Sequence, residues 1–162
     1  MDFLRENVNM NNLQDKAYIF GSFFVLSNKL QILGDQMDKK LTVKQWLFLA
    51  GITKCESNAP TLSELAARIG SSRQNVKKMA VILEKQGFIV MNRDDKDARM
   101  IRVSMTDFCK EYLGKREQIE LFFIKEVFEG FEPRELAALS GAIHKLERNI
   151  NRKMQINAEK GT

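Results

Sequence analysis

Residues Thr61 to Thr106 read TLSELAARIGSSRQNVKKMAVILEKQGFIVMNRDDKDARMIRVSMT, and no other stretch restricts the fold as tightly. Thr61 stands three residues before Glu64, as in a capping box, and Leu62, Leu65, Ala66 and Ile69 repeat at the spacing of one helix face. Gly70 closes that short helix. Ser71 or Ser72 caps the next, whose buried face would be Val76, Met79, Ala80 and Leu83 and whose C-terminal stop is Gly87. Residues 88–91 and 100–105 are β-favouring runs, the second alternating, joined by the charged loop NRDDKDAR. Two short helices, a tight turn between them and a hairpin after them are the outline of a winged helix-turn-helix, with double-stranded DNA as the leading partner.

The charge distribution agrees. Between Arg68 and Arg102 nine basic residues stand against four acidic ones, an excess equal to the net charge of +5 for the whole chain. A general surplus of lysine would spread evenly, whereas charge gathered in one segment is the footprint of a surface that meets polyphosphate. The plainer reading is that any exposed helix carries a solvated charged face.

Around this lobe the chain reads as helix. Leu13, Ala17, Phe20, Phe23, Phe24, Leu30, Leu33 and Met37 keep near one face, interrupted by Gly21 and Gly34. A second helix opens with Thr42 as N-cap and carries Val43, Trp46, Leu47, Ala50 and Ile52, and the cluster from Glu56 to Pro60 stops it. Thr106, with Asp107 at the positive end of the dipole, caps a long helix running to about Gly130, and Pro133 opens the last one. The expected organisation is a flexible 1–12, helical segments 13–40 and 107–156 for dimerisation, a DNA-binding lobe at 41–106, and a flexible 157–162. The fold class is mainly α with a small β-hairpin wing.

On the last helix Leu136, Leu139, Ile143, Leu146 and Ile150 form a nearly heptad seam, with Met154 one step late. Such a seam fits either a partner helix in a homodimer or packing on the chain's own helices. The phenylalanines at 20, 23, 24, 108, 122, 123, 128 and 131 are more than a module of 162 residues easily hides, which favours the dimer.

With these pieces placed, the chain resembles the MarR family of bacterial transcriptional regulators over roughly residues 13 to 155. Carrying the resemblance are Leu41-Thr42 with Gln45-Trp46, Thr61 to Ala66, Ser72 to Val76, Leu83 to Ile89, and Asp97-x-Arg99 followed by Thr106. It implies a dimeric repressor on a pseudo-palindromic operator, its two recognition helices entering major grooves roughly 34 Å apart. Ser72, Arg73, Gln74, Asn75, Lys77 and Lys78 occupy the positions that read bases and grip phosphate: arginine pairs with guanine, glutamine and asparagine with adenine, and lysine neutralises phosphate. In the wing, Arg93, Lys96, Asp97 and Arg99 are the corresponding candidates. Arg99 matches an arginine placed at the minor groove, with Asp97 holding it or capping the turn; the alternative is an Asp97–Arg99 pair that only stabilises the hairpin. Asp94 and Asp95 subtract from the wing's positive charge. The resemblance also implies a small aromatic or amphipathic effector, for which Phe20, Phe24, Met37 and Trp46 are the candidate cleft residues and equally good core residues.

Other chemistries lack their residues. His144 is the single histidine, and no cluster of ligands for a metal or of glycines for a phosphate cradle is visible, so neither an enzyme nor a cofactor is expected. Cys55 and Cys109 are too few for a disulfide framework, although one low-pKa thiol is enough for redox sensing. No apolar run approaches the roughly 18 residues that span a bilayer, and the first residues lack a signal core, so the expected location is cytoplasmic. The alternative functions are a non-specific architectural DNA binder and a winged helix used for protein contact.

Overall fold

A computed structural model describes the backbone of residues 2–160 and the side chains of residues 12–160. The elements in order are α1 (Asp2–Met37), α2 (Val43–Thr53), α3 (Leu62–Arg68), α4 (Arg73–Lys85), β1 (Ile89–Arg93), β2 (Ile101–Met105), α5 (Asp107–Val127) and α6 (Pro133–Lys160). The terminal helices run further than expected. Residues 2–12 and 157–160 are helical, because neither segment holds a proline or glycine and asparagine lowers helix propensity only modestly; the outermost residues expected to be flexible lie outside the described ones. Gly21 and Gly34 likewise leave α1 unbroken.

The chain divides after Arg116 into two units. In the first, α2, α3, α4 and the hairpin enclose one core of Leu41, Phe48, Leu49, Leu65, Val76, Leu83, Ile89 and Val103. Cys109 from the first turn of α5 is fully buried in it, and Phe88 stacks edge-on to Tyr112 at 5.2 Å between ring centroids. Every helix of the lobe starts on a side-chain cap. The hydroxyl of Thr42 accepts the Gln45 amide at 3.3 Å, that of Thr61 the Glu64 amide at 3.2 Å, and that of Thr106 the Cys109 amide at 3.1 Å. At Thr42 and Thr61 the reciprocal bond completes a capping box. Gly70 and Gly87 follow α3 and α4 with φ of 65° and 79°, the left-handed geometry that glycine takes without penalty.

β1 and β2 pair antiparallel from Ile89 opposite Met105 to Arg93 opposite Ile101. On the other edge of β2, Thr61 bridges Arg102 and the Val103 amide donates to the Pro60 carbonyl at 2.9 Å, which fastens the hairpin to the start of α3. At the corner between α1 and α2, Asp35 accepts the Val43 amide at 2.6 Å. There a side chain at position 34 would run into Val43, so Gly34 lets α1 approach α2 closely.

The second unit comprises the end of α5 and α6. Phe128 and Phe131 stack edge-on at 5.7 Å beside Gly130, whose φ is 82°. No side chain of α6 is buried: Leu136, Leu139, Ile143, Leu146 and Ile150 are 37% to 50% exposed.

Candidate nucleic-acid interface

The first two turns of α4 present the candidate recognition residues to solvent. Val76, Ala80 and Leu83 are wholly buried, so one side of the helix is fixed against the core. At about 100° per residue, Gln74 and Lys78 fall nearly opposite Val76, Asn75 and Lys77 lie on the two flanks, and Arg73 lies nearer the core side. All of them, with Ser72, are exposed. Ser72 is the N-cap, its Oγ accepting the Asn75 amide at 3.2 Å, so its hydroxyl is already engaged in holding the helix start. Beyond Lys78 the exposed side of α4 carries the apolar Val81 and Ile82 before the polar Glu84 and Lys85 of the last turn.

The wing is more tightly built than its sequence suggests. The carboxylate of Asp97 takes the Nε and Nη2 of Arg99, each at 2.9 Å, and also the Arg99 amide at 3.0 Å. Asp97 therefore both caps the turn and holds the arginine, whose side chain is 91% exposed. Asp94 does not lie on the surface as a repulsive charge; its side chain is only 5% exposed. It accepts the amides of Lys96 and Asp97 at 2.8 and 2.9 Å and pairs with Arg102. In the sequence Asp94 subtracts from the wing's positive charge, whereas the fold turns it inward and pairs it with Arg102. The cations at Arg73, Lys77, Lys78, Arg93 and Lys96 have no ion-pair partner among the described residues. A polar groove of about 490 Å³ beside the hairpin is lined by Asn92, Arg93, Lys96, Arg102 and Ser104 among others.

The expected effector cleft does not assemble within one chain. Phe20 and Phe24 stack on each other at 5.2 Å and are 68% and 61% exposed, while Met37 and Trp46 are half-buried. Phe24 and Met37 lie thirteen residues apart on the same helix α1, about 20 Å at 1.5 Å per residue, too far for one small ligand. Trp46 packs against the lobe core.

Near the α1–α2 corner stands a buried polar cluster that sequence reasoning missed. Asp38 Oδ2 accepts the Tyr112 hydroxyl at 2.6 Å and Arg116 Nη1 at 2.9 Å, and its Oδ1 accepts the Lys40 amide at 2.7 Å. Burial alone would raise the Asp38 carboxyl, but the hydrogen bonds from Tyr112 and Lys40 and the charge of Arg116 outweigh it and hold it below the ordinary range. Burial and the bond to Asp38 push Tyr112 up to about 12. Asp38 stands more than seventy positions from Tyr112 and Arg116, so no local motif announces the cluster. Cys109, in the core, is pushed up to about 11 by burial, the opposite of what a thiolate sensor needs.

A helix-turn-helix whose second helix offers a polar outer face, followed by a hairpin tipped with a solvent-directed arginine, defines a winged helix-turn-helix protein. Residues 41–101 match the model of the MarR family. Transcriptional repressor MprA of Escherichia coli (strain K12) is 33% identical over 90 residues, which cover 54% of this chain and 51% of MprA. This chain thus spans about half the length of the curated relatives it matches. Among solved structures, a MarR protein from Peptoclostridium difficile superposes with a TM-score of 0.75 at 23% identity, over 83% of this chain and 88% of that one. Bordetella bronchiseptica BpsR, whose DNA binding is regulated by 6-hydroxynicotinic acid, gives 0.68 at 18% identity over 79% and 98%. The segment that matches the MarR family is the winged lobe.

Proposed function

We propose that this protein is a dimeric, sequence-specific repressor that binds double-stranded DNA in the cytoplasm and releases it when a small aromatic acid binds. The observation that carries the reading is the N-terminal half of α4: five polar residues, Arg73, Gln74, Asn75, Lys77 and Lys78, all exposed on a helix whose other side is locked into the core. Side chains of these types at the start of a recognition helix are the ones that read base edges and neutralise phosphates. The wing adds Arg99, held outward by Asp97 and shaped to enter a narrow minor groove.

The second copy is the partner of the α6 seam. Five apolar residues in a nearly heptad pattern, none of them buried in the single chain, support a helical interface, and the exposed Phe20 and Phe24 of α1 support a second contact. Two lobes joined in this way would face one side of a pseudo-palindromic operator. The class of effector follows the relative BpsR, and the corner that holds Met37 and Trp46 is its proposed seat in this chain.

The test is fluorescence anisotropy on the duplex upstream of the protein's own gene and on a scrambled duplex of equal length, at near-physiological salt. A preference of roughly a thousandfold or more is expected for the native duplex. Equal binding to both would replace this reading with that of an architectural DNA protein. No binding to either would leave a protein-contact module.

A further inference from the structure

Two features of the wing stand apart from the proposed DNA-contacting surface: the inward carboxylate of Asp94 and the guanidinium of Arg102 that meets it. Arg102 is shared between two parts of the lobe. Its Nε donates to Asp94 in the wing loop, and its Nη1 donates to the Ala59 carbonyl at 2.9 Å, two residues before the N-cap of α3. Asp94 in turn caps the loop by accepting the amides of Lys96 and Asp97. Asp97 holds Arg99. An unbroken chain of polar contacts therefore runs from the residue before Pro60 through Arg102, Asp94 and Asp97 to Arg99, and α3 at its base packs on the recognition helix.

We propose that Arg102, acting through Asp94, is a positioning residue that fixes where Arg99 stands relative to α4, so that the minor-groove and major-groove contacts are made in register. The proposal rests on the DNA-binding reading and names a residue outside the surface assigned to DNA. A hairpin of two strands is weakly stable alone, and seven residues of loop separate β1 from β2, so the position of its tip needs a fastening beyond the ladder. The rival role for Arg102 is a direct grip on phosphate, since its side chain is 35% exposed in the groove with Arg93 and Lys96. Against that role, its charge is already neutralised by Asp94 and two of its nitrogens are committed within the protein. The hydrogen bond from Arg102, then the amides of Asp97 and Lys96, hold Asp94 down to about 2, so the link stays ionised wherever DNA binding is measured.

Four full-length proteins, wild type, Arg99→Ala, Arg102→Ala and the double variant, are titrated on two operator duplexes that differ only in the flanks where the wings would land, A·T-rich in one and G·C-rich in the other. Wild type is expected to favour the A·T-rich flanks. Arg102→Ala should lose most of that preference. In the Arg99→Ala background the same change should shift affinity by less than about twofold, the scatter of uncoupled substitutions. Arg102→Lys, which keeps the charge and the aliphatic stem but not the forked guanidinium, should behave as Arg102→Ala does, and it replaces Arg102→Ala if the latter folds poorly. Rescue by lysine, or an equal loss on both flanks in both backgrounds, would overturn the proposal in favour of a phosphate contact. Wild type that prefers the operator but ignores the flanks would overturn this proposal alone, whereas wild type that binds operator and scrambled duplex alike would sink the DNA reading beneath it.

Discussion

Replacing Asp38 with alanine should cost the fold about 3 kcal/mol, and the figure follows from what the carboxylate holds. Its oxygens receive the Tyr112 hydroxyl at 2.6 Å, the Arg116 guanidinium at 2.9 Å and the Lys40 amide at 2.7 Å. Side-chain exposures of 12% for Asp38 and 6% for Arg116 mean that the truncated site leaves a guanidinium largely out of water, retaining the Leu41 carbonyl at 3.4 Å. Breaking a buried pair by removing one partner costs about 3 to 5 kcal/mol, and the partial exposure of Asp38 argues for the lower end. With a urea slope of about 2 kcal/mol per molar, the midpoint should fall by roughly 1.5 M. The exposed pair of Lys115 and Glu111, at 2.6 Å, is the control: Lys115→Ala should move the midpoint by less than about 0.3 M, because solvent screens such pairs.

The same substitution carries a signed pH dependence. Asp38 is held below its ordinary value in the folded state, so its contribution is complete above the unfolded pKa near 3.9 and is lost as the pH falls through the folded value. The gap between wild type and Asp38→Ala should therefore stay constant from about pH 7 to 5 and narrow below about pH 4. The assay is urea denaturation followed by circular dichroism and by Trp46 fluorescence at each pH. A midpoint shift no larger than that of Lys115→Ala would refute the argument, and so would a gap that widens in acid.

Three further outcomes follow. Gly51→Ala should destabilise the lobe by about 1 to 3 kcal/mol, because a Cβ there would stand 2.7 Å from side-chain methyls of both Leu65 and Ile69; an unchanged thermal midpoint would contradict it. Cys109, fully buried and pushed up to about 11, should resist iodoacetamide at pH 8 while the half-buried Cys55 reacts, and mass spectrometry of native protein checks which peptide is carboxamidomethylated. Ile143→Glu, in the middle of the α6 seam, should shift sedimentation equilibrium toward monomer while leaving the far-ultraviolet spectrum of the lobe in place; unchanged mass would remove α6 from the interface.

How much of this was legible in the sequence depends on the range of each interaction. The caps at Thr42, Thr61 and Thr106 and the stops at Gly70 and Gly87 were readable because each acts within three or four residues. The buried stripe of α4 was readable for the same reason, and with it the outward set from Arg73 to Lys78. In α2 the periodic pattern named Leu47, which is exposed, and passed over Phe48 and Leu49, which are fully buried: a short, almost wholly apolar run does not say which side faces the core. Asp94 and Arg102 were seen only as charges to be counted, since their pairing depends on the strand register that sets Asn92 opposite Arg102. Asp38, Tyr112 and Arg116 were invisible for a stronger reason, because their meeting is decided by where α5 lies against the end of α1.

The contrast between the lobe and the terminal helices bears on how the protein is held together in solution. Within the lobe a core of large apolar side chains, among them Phe48, Leu49, Leu65 and Leu83, reaches full burial in a single chain, whereas on α6 none does, and on α1 Phe20 and Phe24 remain mostly exposed. At roughly 25 cal/mol for each square ångström removed from water, covering five side chains of leucine and isoleucine is worth several kcal/mol, enough to decide whether α6 is stable as a helix at all. An isolated amphipathic helix in water gains little from propensity, so α6 needs something to cover its seam. If a second copy supplies that cover, folding of the helices and association are one equilibrium, and the midpoint of their unfolding must rise with protein concentration. The lobe, with its own core, owes much less to the partner. Thermal scans over a hundredfold range of concentration should therefore show helical signal that shifts with concentration and a Trp46 signal that shifts less; equal shifts would mean that lobe and helices unfold as one.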